Sequence, residues 1–251
     1  MEYVLSFKNP ATRKERIRDF KYLPKTLDQA YEQLWARLQL DTLDEFQQSD
    51  ILKTFAWIMY ARRPLRVAEL AELLSVREGD RGLNEDMMHE KDILELCRGF
   101  IVVERKNRTL QLTHQTAQIF LQRHHLNDIG PKRIDIATTC LRYLQFDEFE
   151  KWEERDFDDW EENYKALSYI ASHWGDHVKE AEDSDYVRRA VLTFLASESK
   201  RNLMLKITHM RAGSWTILHI IAENGWETIC GLVLDAQQAG TAKRYIPAVS
   251  A

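Results

Sequence analysis

The sequence predicts a mainly α-helical protein with one small β-hairpin. Three observations predict it. Five prolines and nine glycines in 251 residues, against 30% charged residues, favour helix interiors over strands. Apolar residues recur at spacings of three and four along most of the chain. One short stretch, Phe100 to Glu104, is instead dense in β-branched residues and has a returning partner in Thr109 to Thr113.

In order along the chain, Thr26 and Gln29 form a capping-box pattern and start a helix whose apolar face carries Leu27, Ala30, Tyr31, Leu34 and Leu38. A second helix runs from about Gln48 to Ala61, with Ile51, Leu52, Phe55, Ile58 and Met59 inward. It stops at Arg62-Arg63-Pro64, because proline disfavours helix in the residue before it. Val67 to Leu74 is a short third helix, Gly79 to Asn84 a loop, and Asp92 to Arg98 the end of a further helix. The hairpin follows, with Asn107 expected to take the left-handed position of its turn. Helices followed by a hairpin is the order of a winged helix, expected over 24–125.

Thr116 to His125 and Ile134 to Leu144 read as helices separated by Gly130-Pro131. From Asp147 to Glu162 the chain is strongly acidic, with Phe149, Trp152, Phe157 and Trp160 interleaved. The plain expectation is an aromatic stripe packed on the neighbouring domain; the sharper alternative is an acidic dock for a basic partner segment. A helix from Leu167 is expected to end near Gly175, and Tyr186 to Ala196 forms another. These helices make a spacer over 126–205.

Composition limits the function. A net charge of −5 provides no global attraction for polyanions, so nucleic acid is an unlikely partner. Three widely spaced cysteines, Cys97, Cys140 and Cys230, allow no disulfide framework, and no run approaches the ~18 apolar residues of a membrane span. No basic-then-apolar leader opens the chain, so a cytoplasmic location is expected.

The stretch Gly213 to Leu234 resembles one ankyrin repeat and occurs once. An isolated unit of this kind cannot bury its apolar face alone. Ile217 stands where that family commonly has proline, so the unit over 206–236 is expected to be incomplete or capping, followed by a tail over 237–251. Its candidate protein-binding residues are Trp215, His219 and Trp226.

Three further stretches carry a wider resemblance: Leu23 to Leu34, Arg63 to Leu74, and Tyr169 to His177. Together they resemble the fungal NACHT-ankyrin (STAND-type) signalling proteins, in which a nucleotide-binding module precedes a winged helix, a helical spacer and ankyrin repeats. The resemblance implies that residues 1–23 are the tail or a remnant of that module. It also implies a partner that is either a protein or a nucleotide-binding module. At His114 and Thr116 the chain is similar to a stretch whose histidine contacts the β-phosphate of bound ADP, although Ile119 replaces the usual acidic residue. His114 is therefore a candidate phosphate contact, weighed against a plain backbone role near a helix start. No phosphate-cradling Gly-x-x-x-x-Gly-Lys-Ser/Thr loop occurs, so no cofactor is expected.

Other chemistry is weaker. His173 and His177 share a helix-face spacing but lack a convincing third metal ligand, and no nucleophile elbow is present. The expected role is non-catalytic. The alternative is a winged-helix DNA-binding protein using Val67 to Leu74 in the groove, against which Glu69 and Glu72 would face phosphate repulsion.

Overall fold

A computed structural model describes residues 24–84, 87–97, 99–150, 160, 162–208 and 216–238. The segment expected at 1–23, residues 239–251 of the expected tail, Trp152, Phe157 and Trp215 lie outside the described residues, while residues 237 and 238 end the last helix. The first helix, α1 (Leu27–Ala36), starts at the expected cap, but the expected capping box is open on one side, because Gln29 reaches past the cap residue to the one before it. Thr26 Oγ1 accepts from Gln29 N, and the Gln29 side chain accepts in return from Lys25 N at 2.8 Å. Asp44 caps α2 (Glu45–Tyr60), which begins three residues earlier than expected and ends before Pro64. Then come α3 (Val67–Ser75) and α4 (Glu90–Leu96).

The hairpin pairs β1 (Ile101–Glu104) with β2 (Thr109–Leu112) antiparallel, Ile101 opposite Leu112 and Glu104 opposite Thr109. A third short edge joins it: Arg66 bridges to Thr109, Leu110 N donates to Leu65 O, and Val67 N donates to Arg108 O. Within the described residues, helix, short edge, two helices and two-stranded wing complete a winged helix. The turn differs in one residue from expectation. Arg108, not Asn107, is left-handed, with φ 57°. The Glu104 carboxylate accepts from Asn107 N at 2.7 Å and Lys106 N at 2.8 Å, fixing the first part of the turn and leaving the reversal to the next residue. Those bonds hold the Glu104 carboxyl below the usual carboxylate range.

The helix-turn-helix pair within this domain is α3 followed by α4, so the groove-reading position belongs to α4 and not to Val67 to Leu74. Glu69 to Ser75 are all buried.

After the wing come α5 (Gln115–His124), the single turn α6 (Leu126–Ile129) and α7 (Lys132–Leu144). Then follow α8 (Leu167–Glu180), α9 (Asp185–Ala196) and α10 (Glu198–Ile207), and finally the pair α11 (Ile217–Glu223) and α12 (Glu227–Gln238). Tyr31, Trp35, Phe55, Phe100 and Phe120 stack and tilt together with centroids 5.4–6.3 Å apart, filling the winged-helix interior. Helix α7 packs on α2, α8 and α9, so one apolar core runs through both regions.

Gly175 does not end its helix; α8 continues to Glu180. A Cβ there would lie 1.7 Å from Asn224 Oδ1 and 2.6 Å from Asn224 Cγ, so the glycine admits the turn between α11 and α12 against the helix. Gly175→Ala improves intrinsic helix propensity by about 1 kcal/mol. The overlap reaches Cγ as well as the terminal oxygen, and displacing the turn costs more, about 1–3 kcal/mol. A net loss of stability in urea unfolding is expected, and a net gain would show that Asn224 simply swings aside.

Candidate functional site

Each candidate residue can be followed to its place. His114 is exposed and is the N-cap of α5. Its Nδ1 accepts from Thr116 N at 3.1 Å and lies 2.9 Å from Thr116 Oγ1. Thr116 Oγ1 is in turn 2.8 Å from Tyr31 Oη on α1. The two residues singled out in the sequence are thus brought together to fasten the start of α5. Nδ1 is committed to that cap, and only Nε2 could meet a phosphate.

His219 is also a capping residue. Thr216 Oγ1 and the His219 imidazole Nδ1 are 2.7 Å apart, and Thr216 N donates to the same Nδ1 at 3.2 Å, closing a capping box at α11. Trp226 is 1% exposed. Its indole N–H donates to Gly175 O at 3.1 Å and its ring meets Trp174 edge-on at 5.0 Å. The expectation of a partner-binding Trp226 is therefore corrected: the residue anchors the terminal hairpin to α8 and presents no surface to a partner. The terminal pair is a helix-turn-helix held on the spacer by this tryptophan and by Glu182, which accepts from Ile229 N at 3.0 Å.

His173 and His177 do not converge on a ligand position. His177 is 2% exposed, with Nε2 2.8 Å from Tyr169 Oη. Tyr169 Oη accepts from Arg62 N at 3.2 Å, so the hydroxyl donates to an unprotonated Nε2. Burial, with Arg62 and His173 adding repulsion, pushes the His177 imidazole down to about 3. His173 pairs instead with Asp176 at 3.7 Å. Among the described residues no group of three or more His, Cys, Asp or Glu side chains could hold a metal ion.

The most consequential polar arrangement was not marked in the sequence as a site. Glu72, on α3, is 2% exposed. Its carboxylate accepts from Tyr143 Oη on α7 at 2.8 Å, Lys165 N at 2.6 Å and Ala166 N at 2.9 Å, the last two at the entry to α8. Burial raises its pKa, partly offset by the Ala166 amide, the Tyr143 hydroxyl and the Lys165 amide. Tyr143 is itself raised well above the usual phenol range, first by burial and then by Glu72. One winged-helix carboxylate thereby joins three segments.

Glu69 acts at the other end of the same helix face. It holds Arg63 through two bonds of 2.6 and 2.8 Å and accepts from Arg66 N, closing the α2–α3 corner. The two glutamates expected to repel phosphate are therefore engaged inside the protein. The exposed side of α4 carries Asp92 and Glu95 against Lys91. The acidic stretch is partly described: Phe149 is buried, with Trp160 and Tyr164 rings 5.5 and 5.0 Å from it. These aromatics pack inward beside Tyr143 of the spacer itself, whereas the plainer expectation put the stripe on the neighbouring domain.

Among the described residues no helix is long and apolar enough to cross a membrane. Comparison with curated proteins and with solved structures gives no match. A family model described as GPI inositol-deacylase, winged helix domain, matches residues 36–129. That span runs from the end of α1 through α6, enclosing the helix-turn-helix, its short third edge and the wing. The chain contains a winged-helix domain of this type.

Proposed function

We propose that the chain is a non-catalytic regulatory and protein-interaction segment of a NACHT-ankyrin-type signalling protein. The winged helix relays conformational state to the spacer, and the terminal hairpin is an incomplete ankyrin-type unit that begins a partner-binding surface. The observation that carries this reading is the Glu72 junction. A side chain of α3 closes the entry of α8 by accepting two hydrogen bonds from backbone amides, so displacement of the winged helix breaks hydrogen bonds that fasten the spacer's α8 entry. The Thr216–His219 capping box, at the positions that resemble an ankyrin repeat, supports the reading of the hairpin. The partner is a protein or a nucleotide-binding module, and no cofactor is assigned.

The alternative, DNA binding, is disfavoured by the acidic exposed side of α4, the helix at the groove-reading position. Two measurements on the whole chain test the proposal. Thermal unfolding with and without ADP or ATP at constant magnesium is expected to give one midpoint, because a ligand of the native state would raise it by mass action. A nucleotide-dependent rise would overturn the non-catalytic reading and direct substitution to His114. Anisotropy of a labelled DNA duplex should stay unchanged at low salt; affinity that falls steeply with added salt would favour the alternative.

A further inference from the structure

A cavity of about 420 Å³ opens between the α1–α2 connection and α4. Leu38, Leu43, Ile51, Met88 and Leu96 give it an apolar floor, and Asp92 and Glu95 stand at its α4 side. Two exposed apolar side chains stand next to lining residues in sequence. Phe46, 78% exposed, adjoins the lining residue Gln47, and Met87, 38% exposed, adjoins Met88. Exposed aromatics and methionines beside an apolar groove mark a surface that adapts to a partner.

The charges around the groove select the partner. Asp92 and Glu95 on α4, with Asp41 and Asp44 on the α1–α2 connection and Glu45 at the start of α2, are exposed carboxylates. Arg37 and Lys91 are the exposed cations of that connection and of α4. Among the residues lining the cavity, Asp92 and Glu95 are the charged ones and neither lysine nor arginine is present, so the lining is acidic. Asp92 and Glu95 at its α4 side would repel phosphate, so the groove does not suit a nucleic acid. Bulky apolar side chains spaced three or four apart on a helix would enter the floor while lysine or arginine beside them met the rim.

We propose that this groove docks a basic amphipathic helix of a protein partner. The inference names a partner class for the interaction role above, at a surface separate from the Glu72 junction. Its failure would leave that junction untouched.

The test uses the full chain and two labelled helical peptides of roughly fourteen residues, one with leucines on one face and lysines elsewhere, the other with glutamates in place of the lysines. At about 0.15 M salt, screening suppresses general attraction to a chain of net charge −5. The lysine peptide is expected to bind and the glutamate peptide not to bind. Phe46→Ser should weaken binding several-fold. Asp92→Lys combined with Glu95→Lys should abolish it and confer binding of the glutamate peptide. All three residues are exposed, so the variants keep the fold, and coincident thermal unfolding verifies this. Undiminished binding of the lysine peptide by the doubly reversed chain would overturn the proposal, as would equal binding of both peptides. Sedimentation covers the remaining occupant: a dimer dissolved by Phe46→Ser would overturn the proposal by assigning the groove to a second copy.

Discussion

Acidification is expected to unfold this protein through His177, and replacing that residue by glutamine should flatten the acid limb of its stability curve. The imidazole is held neutral in the folded chain, down to about 3 from 6.5, chiefly by burial. The folded value is depressed, so the unfolded chain binds the proton first as pH falls. The stability contributed by neutral His177 is complete above about pH 6.5 and is lost progressively between there and pH 3. Each pH unit within that window costs about 1.4 kcal/mol, so about 3 kcal/mol is gone by pH 4. Protonation would also place a donor against Tyr169 Oη, which already accepts from Arg62 N. His177→Gln can still accept from Tyr169 but does not titrate. Urea unfolding at pH 7, 5.5 and 4 should show a shallower pH slope in the variant, whatever its absolute stability. Equal slopes would show that His177 is not the residue responsible.

Much of the architecture is legible in the sequence because it rests on local chemistry. Thr26 with Gln29, proline after Arg63, and the β-branched run before Glu104 act within a few residues of themselves, and the elements they predict are present. The matched winged-helix span supports the order of helices and hairpin inferred from them. What was not legible depends on distant neighbours. Gly175 reads as a helix stop because glycine weakens helices locally, whereas the reason for it is the close approach of Asn224 from another helix pair. Trp226 in a polar turn reads as exposed until Gly175 O and Trp174 are found against it. Glu69 and Glu72 read as surface charges on a short amphipathic helix. Sequence periodicity places them on α3 but carries no information about Arg63, Tyr143 or the α8 entry. His114 shows the converse: its motif was visible, and the cap it forms is the plainer of the two roles the motif allowed.

Removing the Glu72 carboxylate should be among the most damaging single changes to the chain. Glu72→Ala leaves the Lys165 and Ala166 amides and the Tyr143 hydroxyl without their acceptor, and opens a void in the same place. Each donor left buried without a partner costs about 1–3 kcal/mol, and some is recovered if water enters. The expected loss is about 3–5 kcal/mol, a large share of the 5–15 kcal/mol typical of a folded protein. Glu72→Gln separates the geometry from the charge. Its amide oxygen can still accept, but its NH2 cannot replace the second carboxylate oxygen, so an intermediate loss is expected. Ionisation carries an opposing burial cost, because the folded pKa of Glu72 is raised. That contribution is most favourable below the unfolded glutamate pKa and declines as pH rises through the folded value. The relay reading adds a demand that a purely local defect would not meet. Hydrogen exchange should quicken in both α3 and the first turn of α8 in Glu72→Gln, while α11 and α12 stay protected. Faster exchange confined to α3 would mean that the winged helix and spacer are held together by their apolar core and not through this carboxylate.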